Sequence, residues 1–205
     1  MIIVGAKGFA KELLEVCHQL GKTENLVFFD NVSTDLPEQL YGQFPILRNE
    51  DEVKAHFNSI SNDFLLGLGN PNIRIQLCSL FESWGGELNS IISPKACIAN
   101  YGLEIAAGAT ILSNASITGT ARIGKGLLMY PNSVITHDCI IGDFVELSPG
   151  ATILGACNIG DNTHIGANAT ILPKITLGKR VKVGAGAVVT RSISDECTVK
   201  GVPAR

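Results

Sequence analysis

Hydrophobic residues recur with a period of six along the second half of the chain. Every sixth residue from Ile105 to Val189 is aliphatic or methionine, without exception. The position four residues after each of these is mostly small or β-branched, as at Ala109, Ser133 and Thr163. A period of six fits neither an amphipathic helix nor an alternating strand. The pattern predicts a coil of stacked short strands with two columns of side chains facing inward.

The position three residues after each aliphatic carries Gly, Asn or Asp in most repeats, and these residues tolerate a positive φ. The positions are Gly108, Asn114, Gly126, Asn132, Asp138, Gly150, Asn162, Asn168 and Gly186. A short strand followed by a tight turn every six residues predicts a parallel β-helix with three flat faces and about eighteen residues per circuit.

The first half of the chain alternates between strand and helix patterns. The predicted elements are a strand at 1–4, a helix at 8–17, a strand at 25–30, a helix at 49–57, a strand from Asp63 and a helix at 71–84. This alternation implies a small parallel sheet covered by helices. The two patterns meet near residues 85–93, so we expect two domains, residues 1–88 and 89–205.

Composition narrows the class of protein. The 205 residues carry a formal net charge of −3 and no run of Lys and Arg, which argues against nucleic acid as a partner. The apolar segment at residues 1–4 has no positively charged residues before it and is too short for a signal peptide or a membrane span, so we expect a cytoplasmic protein. The six cysteines form no CxxC pair, and we expect free thiols, several of them buried.

The segment from Ser93 to Arg205 resembles the left-handed β-helix acyltransferases with hexapeptide repeats. The run IGDNTHIGANATILPKITLGKRVKVGAGAVV and the closing GVPAR carry this resemblance. The whole chain is similar to bacterial sugar acetyltransferases with a Rossmann-like front domain, which act on UDP-linked 4-amino sugars or on sialic acid. The resemblance implies a Rossmann-like parallel sheet before a left-handed parallel β-helix, a homotrimer, acetyl-CoA as cosubstrate and a nucleotide-linked sugar as substrate.

The stretch SVITHDCIIGD contains the candidate catalytic pair. His137 lies two residues after the inward Ile135, so its side chain is expected to leave the coil, and Asp138 occupies the turn column. An imidazole can accept a proton near neutral pH, and a neighbouring carboxylate can fix its tautomer. The resemblance places His137 on the general base and Asp138 on its orienting neighbour. Gly155, one circuit beyond His137, matches the glycine whose amide faces the acetyl group.

Coenzyme A in this family lies in a groove between neighbouring coils of the trimer. By resemblance, Ala167 and Ala185 contact its pantetheine arm, and the tail at 200–205 approaches the adenine. Glu146 stands where the amino-sugar enzymes carry a second histidine that helps to bind the acyl group or the sugar. We expect Glu146 to contact substrate at this place.

The front domain opens with a possible phosphate turn, Gly5-Ala6-Lys7-Gly8, at the start of a predicted helix. Lys7 and Ala10 replace two glycines of the dinucleotide pattern GxGxxG, so we do not expect NAD. Asp30 ends the second strand, where it could accept from a ribose hydroxyl or form an ordinary turn. The resemblance assigns sugar-nucleotide binding to Lys7, Gly8, Phe9, Asp30, Asn31 and Gly69.

Three other functions remain open besides acetyl transfer to the amino group of a nucleotide sugar in surface glycan synthesis. O-acetylation of sialic acid or another sugar would use the same histidine. A zinc enzyme of the carbonic anhydrase type needs three convergent histidines. Only His137 and His164 lie in the coil, one and a half circuits apart, so we expect no metal. A noncatalytic sugar-nucleotide scaffold is the third alternative. We expect His18 and His56 to be surface residues, and His164 to be exposed or at an interface.

Overall fold

A computed structural model describes all residues, 1–205, and divides them into two compact units, Met1–Ile91 and Ile92–Arg205. The sequence places the boundary three residues earlier, between 88 and 89. The first unit comprises β1 (Ile2–Val4), α1 (Gly8–Gln19), β2 (Val27–Phe29), β3 (Gln39–Leu40), β4 (Phe44–Leu47), α2 (Glu50–Ser59), β5 (Asp63–Leu66), α3 (Pro71–Ser83) and β6 (Glu87–Leu88). The alternation of strands and helices predicted for this half is confirmed.

The first unit is built on a six-stranded sheet with the order β3-β4-β2-β1-β5-β6. All neighbouring strands are parallel except β3 and β4, which form an antiparallel hairpin. The central strand β1 is buried on both faces, and Ile3 pairs with Phe28 on one side and Leu65 on the other. From β1 the chain first adds β2 and β4 on one side, and it then crosses over to add β5 on the other side of β1. This reversal creates a switch point at the carboxyl ends of β1 and β5, and ligands bind at such points in open α/β sheets.

His56 corrects the sequence-based expectation for this unit. It is buried, at 6% exposure, because α2 packs the face that carries Val53 and Phe57 inward. The Met1 ammonium group lies 3.2 Å from Nε2 of His56. Burial, and to a lesser extent the charge of the N-terminus, lower the pKa of His56 to about 4. His18 is exposed, as expected.

The second unit is a coil of short parallel strands. They are β7 (Ile91–Ile92) at the junction, β8 (Cys97–Ile98), β9 (Leu103–Ile105), β10 (Thr110–Ile111), β11 (Ser116–Ile117), β12 (Ala121–Ile123), β13 (Leu128–Met129), β14 (Val134–Ile135), β15 (Cys139–Ile141), β16 (Glu146–Leu147), β17 (Thr152–Ile153), β18 (Asn158–Ile159), β19 (His164–Ile165), β20 (Thr170–Ile171), β21 (Thr176–Leu177), β22 (Lys182–Val183), β23 (Val188–Val189) and β24 (Thr198–Val199). Three sheets form the faces, in the orders β24-β22-β19-β16-β13-β10-β7, β23-β20-β17-β14-β11-β8 and β21-β18-β15-β12-β9. The three-faced parallel β-helix is confirmed.

The interior of the coil consists of the two predicted columns. Ile117, Ile135 and Ile153 stack in register on one face, eighteen residues apart, and all three are fully buried. Every member of the six-residue aliphatic series from Ile111 to Val189 is buried, and Ile105 is partly buried at the open end. The small and β-branched column is equally buried, including Ser133 and Thr163. Stacking of like side chains in successive circuits fills the core.

All nine turn positions predicted to accept a positive φ have one. The same column also holds residues that disfavour this conformation, such as Ala156 (φ 58°) and Lys174 (φ 64°). Their amides donate hydrogen bonds to the turn of the preceding circuit, Ala156 to the carbonyl of His137 at 2.9 Å and Lys174 to that of Gly155 at 2.9 Å. These bonds between circuits offset the local strain, which is why residue type alone does not identify the turns.

One corner of the coil is held by an aspartate ladder. Oδ1 of Asp143 accepts from the amide of Lys125 at 2.7 Å, and Oδ1 of Asp161 accepts from the amide of Asp143 at 3.0 Å. A Cβ on Gly142 would lie 2.4 Å from Oδ1 of Asp161, so glycine leaves the space that the carboxylate needs. A hydrogen bond from Lys179 lowers the pKa of Asp161. Each carboxylate thereby ties one circuit to the previous one.

The six cysteines are free, and four of them are buried: Cys17, Cys78, Cys139 and Cys157. Cys139 and Cys157 lie one above the other in the small inner column. Burial raises the pKa of both thiols, so they remain protonated and act as packing groups. None of the three helices combines the length and the apolar character needed to cross a bilayer.

Candidate functional site

His137 lies on the corner that joins the face containing β14 to the face containing β15. Its side chain points out of the coil and is 68% exposed. Nδ1 of the imidazole lies 2.8 Å from Oδ2 of Asp138, whose side chain is 61% exposed. The predicted pair is therefore present on the surface as a hydrogen-bonded unit.

The backbone of the corner fixes the orientation of this pair. Asp138 has a φ of 59°, and its amide donates to the carbonyl of Thr120 at 2.5 Å. The carbonyl of His137 accepts from Ala156 in the next circuit. The left-handed turn aims the carboxylate at the imidazole of the preceding residue. A carboxylate on Nδ1 favours the tautomer with its proton there, which leaves the Nε2 lone pair free to act as a base.

Gly155 and Gly119 lie one circuit to either side of His137. A Cβ on Gly155 would come within 2.5 Å of both Cε1 and Nε2 of the imidazole, and a Cβ on Gly119 would lie 3.0 Å from the Cβ of His137. The ring therefore stacks over Gly155, at a distance that only glycine permits. The amide of Gly155 donates no hydrogen bond within the chain. A free N–H beside a base is the arrangement that can stabilise an oxyanion.

A second polar cluster lies on another face, where β16 pairs with β19. Nε2 of His164 lies 3.0 Å from Oγ of Ser148 and 3.7 Å from Oε1 of Glu146, which is buried. Burial, followed by the charge of Lys182, lowers the pKa of His164. Both partners approach the same ring nitrogen, unlike a relay in which an acid holds the opposite nitrogen. His164 is half-buried and hydrogen-bonded, rather than simply exposed.

The site residues predicted from the sequence occupy different sides of one coil. Glu146 follows His137 by nine residues, which is half a circuit, so the two side chains leave the coil in opposite directions. Ala167 (half-buried) and Ala185 (exposed) stack on a corner one face away from the His137 corner. One protomer cannot bring these groups together. Within the chain, no group of three or more His, Cys, Asp or Glu side chains could hold a metal ion.

The front unit contains a cavity of about 450 Å³ at the carboxyl ends of β1 and β2. It brings together three residues named from the sequence, Gly5, Asp30 and Asn31. The remaining lining residues are Val4, Phe29, Val32, Ser33, Leu68, Ile73, Gln76, Leu77 and Leu80. The wall contributed by α3 was missed, although the spacing of Ile73, Leu77 and Leu80 marks one apolar helix face. Ile73 and Leu80 remain 43% and 39% exposed on this wall.

Asp30 forms a turn at the rim of this cavity. Its Oδ1 accepts from the amides of Val32 at 3.1 Å and Ser33 at 2.8 Å, and its Oδ2 accepts from the hydroxyl of Ser33 at 3.1 Å. The turn interpretation of Asp30 is therefore confirmed. A contact from this carboxylate to a ribose hydroxyl stays a prediction.

The other sugar-nucleotide residues predicted for the front unit do not line the cavity. Lys7 directly precedes α1, and its ammonium group forms a 2.7 Å ion pair with Asp35. Gly8 and Phe9 open α1, and Gly69 lies in the loop after β5. Their roles in binding stay predictions.

Two sequence families match the chain. The PglD N-terminal domain matches residues 1–81, and the bacterial transferase hexapeptide repeat (six repeats) matches residues 156–191. The second match confirms the hexapeptide repeat expected of the coil. Among curated protein sequences, no match is found.

Solved structures resemble the chain over its full length. A mutant of perosamine N-acetyltransferase from Caulobacter crescentus, in complex with CoA and GDP-perosamine, is 24% identical, with a TM-score of 0.91 over 100% of this chain and 94% of that one. The acetyltransferase domain of PglB from Neisseria gonorrhoeae, in complex with acetyl coenzyme A, is 29% identical, with a TM-score of 0.87 over 100% and 97%. WeeI from Acinetobacter baumannii is 30% identical, with a TM-score of 0.87 over 100% and 97%.

The two units, their order along the chain and the end-to-end match to these proteins lead to one assignment. The chain belongs to the bacterial sugar acetyltransferases that join a PglD-type N-terminal domain to a left-handed parallel β-helix of hexapeptide repeats.

Proposed function

We propose that the protein transfers the acetyl group of acetyl-CoA to the amino group of a nucleotide-linked amino sugar, with His137 as general base. The observation that carries this proposal is the exposed imidazole of His137, held by Asp138 at 2.8 Å and stacked over Gly155. Two similar proteins were solved with CoA and GDP-perosamine or with acetyl coenzyme A, which supports the choice of substrates.

The chemistry needs few groups. The neutral amine attacks the thioester carbonyl, a carbon–nitrogen bond forms, and Nε2 of His137 takes the proton from the nitrogen. Asp138 stabilises the resulting imidazolium, and the amide of Gly155 stabilises the oxyanion. When the carbon–sulfur bond breaks, the thiolate leaves and receives the proton, which gives CoA and the acetamido sugar. No covalent acyl-enzyme intermediate is required.

The geometry of the coil supports a site shared by two protomers of a homotrimer. Ala167 and Ala185, the residues proposed for the pantetheine arm, lie on a different corner from His137. Glu146, whose side chain is 10% exposed within one chain, lies on the opposite side of the coil. A neighbouring protomer that presents its alanine corner and its Glu146 face to the His137 corner would complete the site. Small side chains at 167 and 185 allow a narrow arm to approach the backbone.

The cavity of the front unit suits the nucleotide part of the substrate. Its wall combines apolar side chains, including Phe29, Leu68 and Leu77, with a few polar groups at one rim, which is typical of small-molecule sites. Asp30 and Asn31 contribute the polar rim, while Lys7, Gly8 and Phe9 begin the neighbouring helix, where a diphosphate would meet backbone N–H groups. Gly69 follows β5 at the same edge. The product, an acetamido sugar nucleotide, would feed surface glycan synthesis.

The test is release of free thiol from acetyl-CoA in the presence of UDP-, GDP- and dTDP-linked amino sugars. We expect release with at least one amino sugar and none with its acetamido product. Mass spectrometry of the product should show an amide. An ester on a sugar hydroxyl, or turnover only with sialic acid, would replace N-acetylation by O-acetylation. Binding of a sugar nucleotide without thiol release would instead favour the noncatalytic scaffold.

A further inference from the structure

An exposed ion pair connects the glycine turn of the front unit to the loop that follows β2. Nζ of Lys7 donates to Oδ1 of Asp35 at 2.7 Å, and the two side chains are 54% and 71% exposed. The ammonium group lowers the pKa of the Asp35 carboxyl, chiefly through this hydrogen bond. Asp35 is thus an anion held against the cation at the start of α1.

The loop after β2 does not need this ion pair to keep its shape. The guanidinium of Arg48 donates to the carbonyls of Asp30 at 2.7 Å, Ser33 at 3.2 Å, Leu36 at 3.3 Å and Pro37 at 3.2 Å. The carboxylate of Asp30 also holds the amides that follow it. An ion pair this exposed to solvent contributes little to stability, because water and salt screen it. Breaking the contact between Lys7 and Asp35 therefore costs little and leaves the loop in place.

Lys7 also lies where a diphosphate would bind if the proposed function holds. It precedes the first residue of α1, and a helix N-terminus attracts anions through its free N–H groups and its dipole. Asp35 supplies a single negative charge to the ammonium, whereas a diphosphate offers at least two charges and several acceptor oxygens. A compact ammonium group cannot serve both at full strength.

On these grounds we propose that Asp35 competes with the diphosphate of the sugar nucleotide for Lys7 and thereby limits the affinity of the front unit for its substrate. Asp35 lowers the affinity for the diphosphate in two ways: it occupies the ammonium group of Lys7, and its negative charge repels the incoming phosphates. The inference rests on the proposed function, since it takes a nucleoside diphosphate as the ligand. It assigns a role in setting substrate affinity to Asp35, a residue that does not line the cavity.

The experiment is calorimetric titration with UDP, GDP and dTDP, carried out on the unchanged protein and on the Asp35→Asn variant. We expect Asp35→Asn to bind the preferred diphosphate about two- to fivefold more tightly at low ionic strength, with the gain shrinking as salt is added. The gain should be smaller for the monophosphate and absent for the uncharged nucleoside. Asp35→Asn should add little in a Lys7→Gln background, because the contested cation is then missing.

Glu104→Gln is the matched control. Glu104 forms an exposed ion pair with Arg122 at 3.6 Å in the second unit, so this change also removes one negative charge from the surface. We expect unchanged affinity for the diphosphate, which separates competition at Lys7 from a general effect of net charge.

The outcomes separate this inference from the function on which it rests. Equal or weaker diphosphate binding by Asp35→Asn overturns the inference, and weaker binding would mean that Asp35 positions Lys7 for the ligand. If no nucleoside diphosphate binds the unchanged protein, the proposed role of the front unit fails and the inference fails with it. Tighter binding by Asp35→Asn in a protein that releases no thiol would leave the inference standing and overturn the proposed activity.

Discussion

The imidazole of His137 fills the space that a side chain on Gly155 would occupy. A Cβ at position 155 would lie 2.5 Å from both Cε1 and Nε2 of the ring, although the two residues are a full circuit apart in the sequence. The imidazole of His137, the proposed base, is therefore positioned by two neighbours, the carboxylate of Asp138 at one nitrogen and the bare backbone of Gly155 beneath the ring. The amide of Gly155 donates no hydrogen bond within the chain, so it remains available to the proposed oxyanion.

Gly155→Ala should displace the imidazole while the coil remains folded. The added methyl group collides with the exposed ring of His137 rather than with backbone, so the ring can swing into solvent. Because a displacement of about 1 Å at a reacting group can reduce the rate about 100-fold, we expect kcat to fall by about that factor with little change in Tm. Steady-state thiol release and thermal unfolding measure the two effects. Unchanged kcat would show that the ring need not stack over Gly155.

His137→Ala and Asp138→Asn should lower the rate by different amounts. Removing the general base is expected to reduce kcat by about 10²- to 10⁴-fold. Asp138→Asn keeps the left-handed turn, since Asn has a positive φ at the equivalent positions 132 and 162, and removes only the charge beside Nδ1. We expect a smaller loss of kcat at unchanged Tm. Turnover at pH 7 tests both variants, with His18→Ala as the control. Equal rates for His137→Ala and the unchanged protein would remove His137 from the mechanism.

The coil was predictable because its information is local. A repeat of six sets the inward columns and the turns, and these lie where the sequence places them even at Ser133 and Thr163. His137 stands out because it lies in a stretch of mostly small and aliphatic residues, and the family resemblance supplied its proposed role. The burial of His56 was not predictable, since it depends on how α2 packs against the sheet. The contact between Glu146 and His164 does follow from the sequence, because the two residues are one circuit of eighteen apart and lie side by side on one face. The hydrogen bonds from Arg48 to four backbone carbonyls were not predictable either, because these carbonyls belong to an irregular loop that has no periodic pattern in the sequence.

The inward column of the coil should be far more sensitive to truncation than the outward positions. Ile141 is 2% exposed, whereas its neighbour Ile140 is 51% exposed on the same strand. We expect Ile141→Ala to reduce the free energy of unfolding by about 2–5 kcal/mol, through lost burial and an unfilled cavity. Ile140→Ala, which removes the same atoms, should change it by less than about 1 kcal/mol. Urea unfolding followed by circular dichroism at one protein concentration compares them, and similar losses would contradict the inward column.

Acidification should destabilise the front unit through His56. Its pKa is about 4 in the folded protein against an ordinary value of 6.5, so unfolding takes up a proton between these values. Stability is therefore lost as the pH falls from about 6.5 toward 4. His56→Gln should flatten this part of the profile, whereas His18→Gln, at an exposed position of α1, should not. The measurement is Tm of each variant across this pH range. If Tm of His56→Gln falls as steeply with pH as that of the unchanged protein, the acid sensitivity belongs to other groups.

Two inactive variants should restore activity when they share a trimer. His137→Ala removes the base from one corner, and Ala185→Trp fills the exposed corner proposed for the pantetheine arm, so each homotrimer should release almost no thiol. If every site takes its base from one protomer and its alanine corner from the next, each trimer that contains both variants has both surfaces intact at about a third of its sites. Co-expression with two affinity tags and sequential purification yields the mixed trimers. Recovery of about a third of the activity of the unchanged protein, at equal protein concentration, is the expected result. A site built within one protomer would leave every mixed trimer inactive, because each chain then carries its own defect.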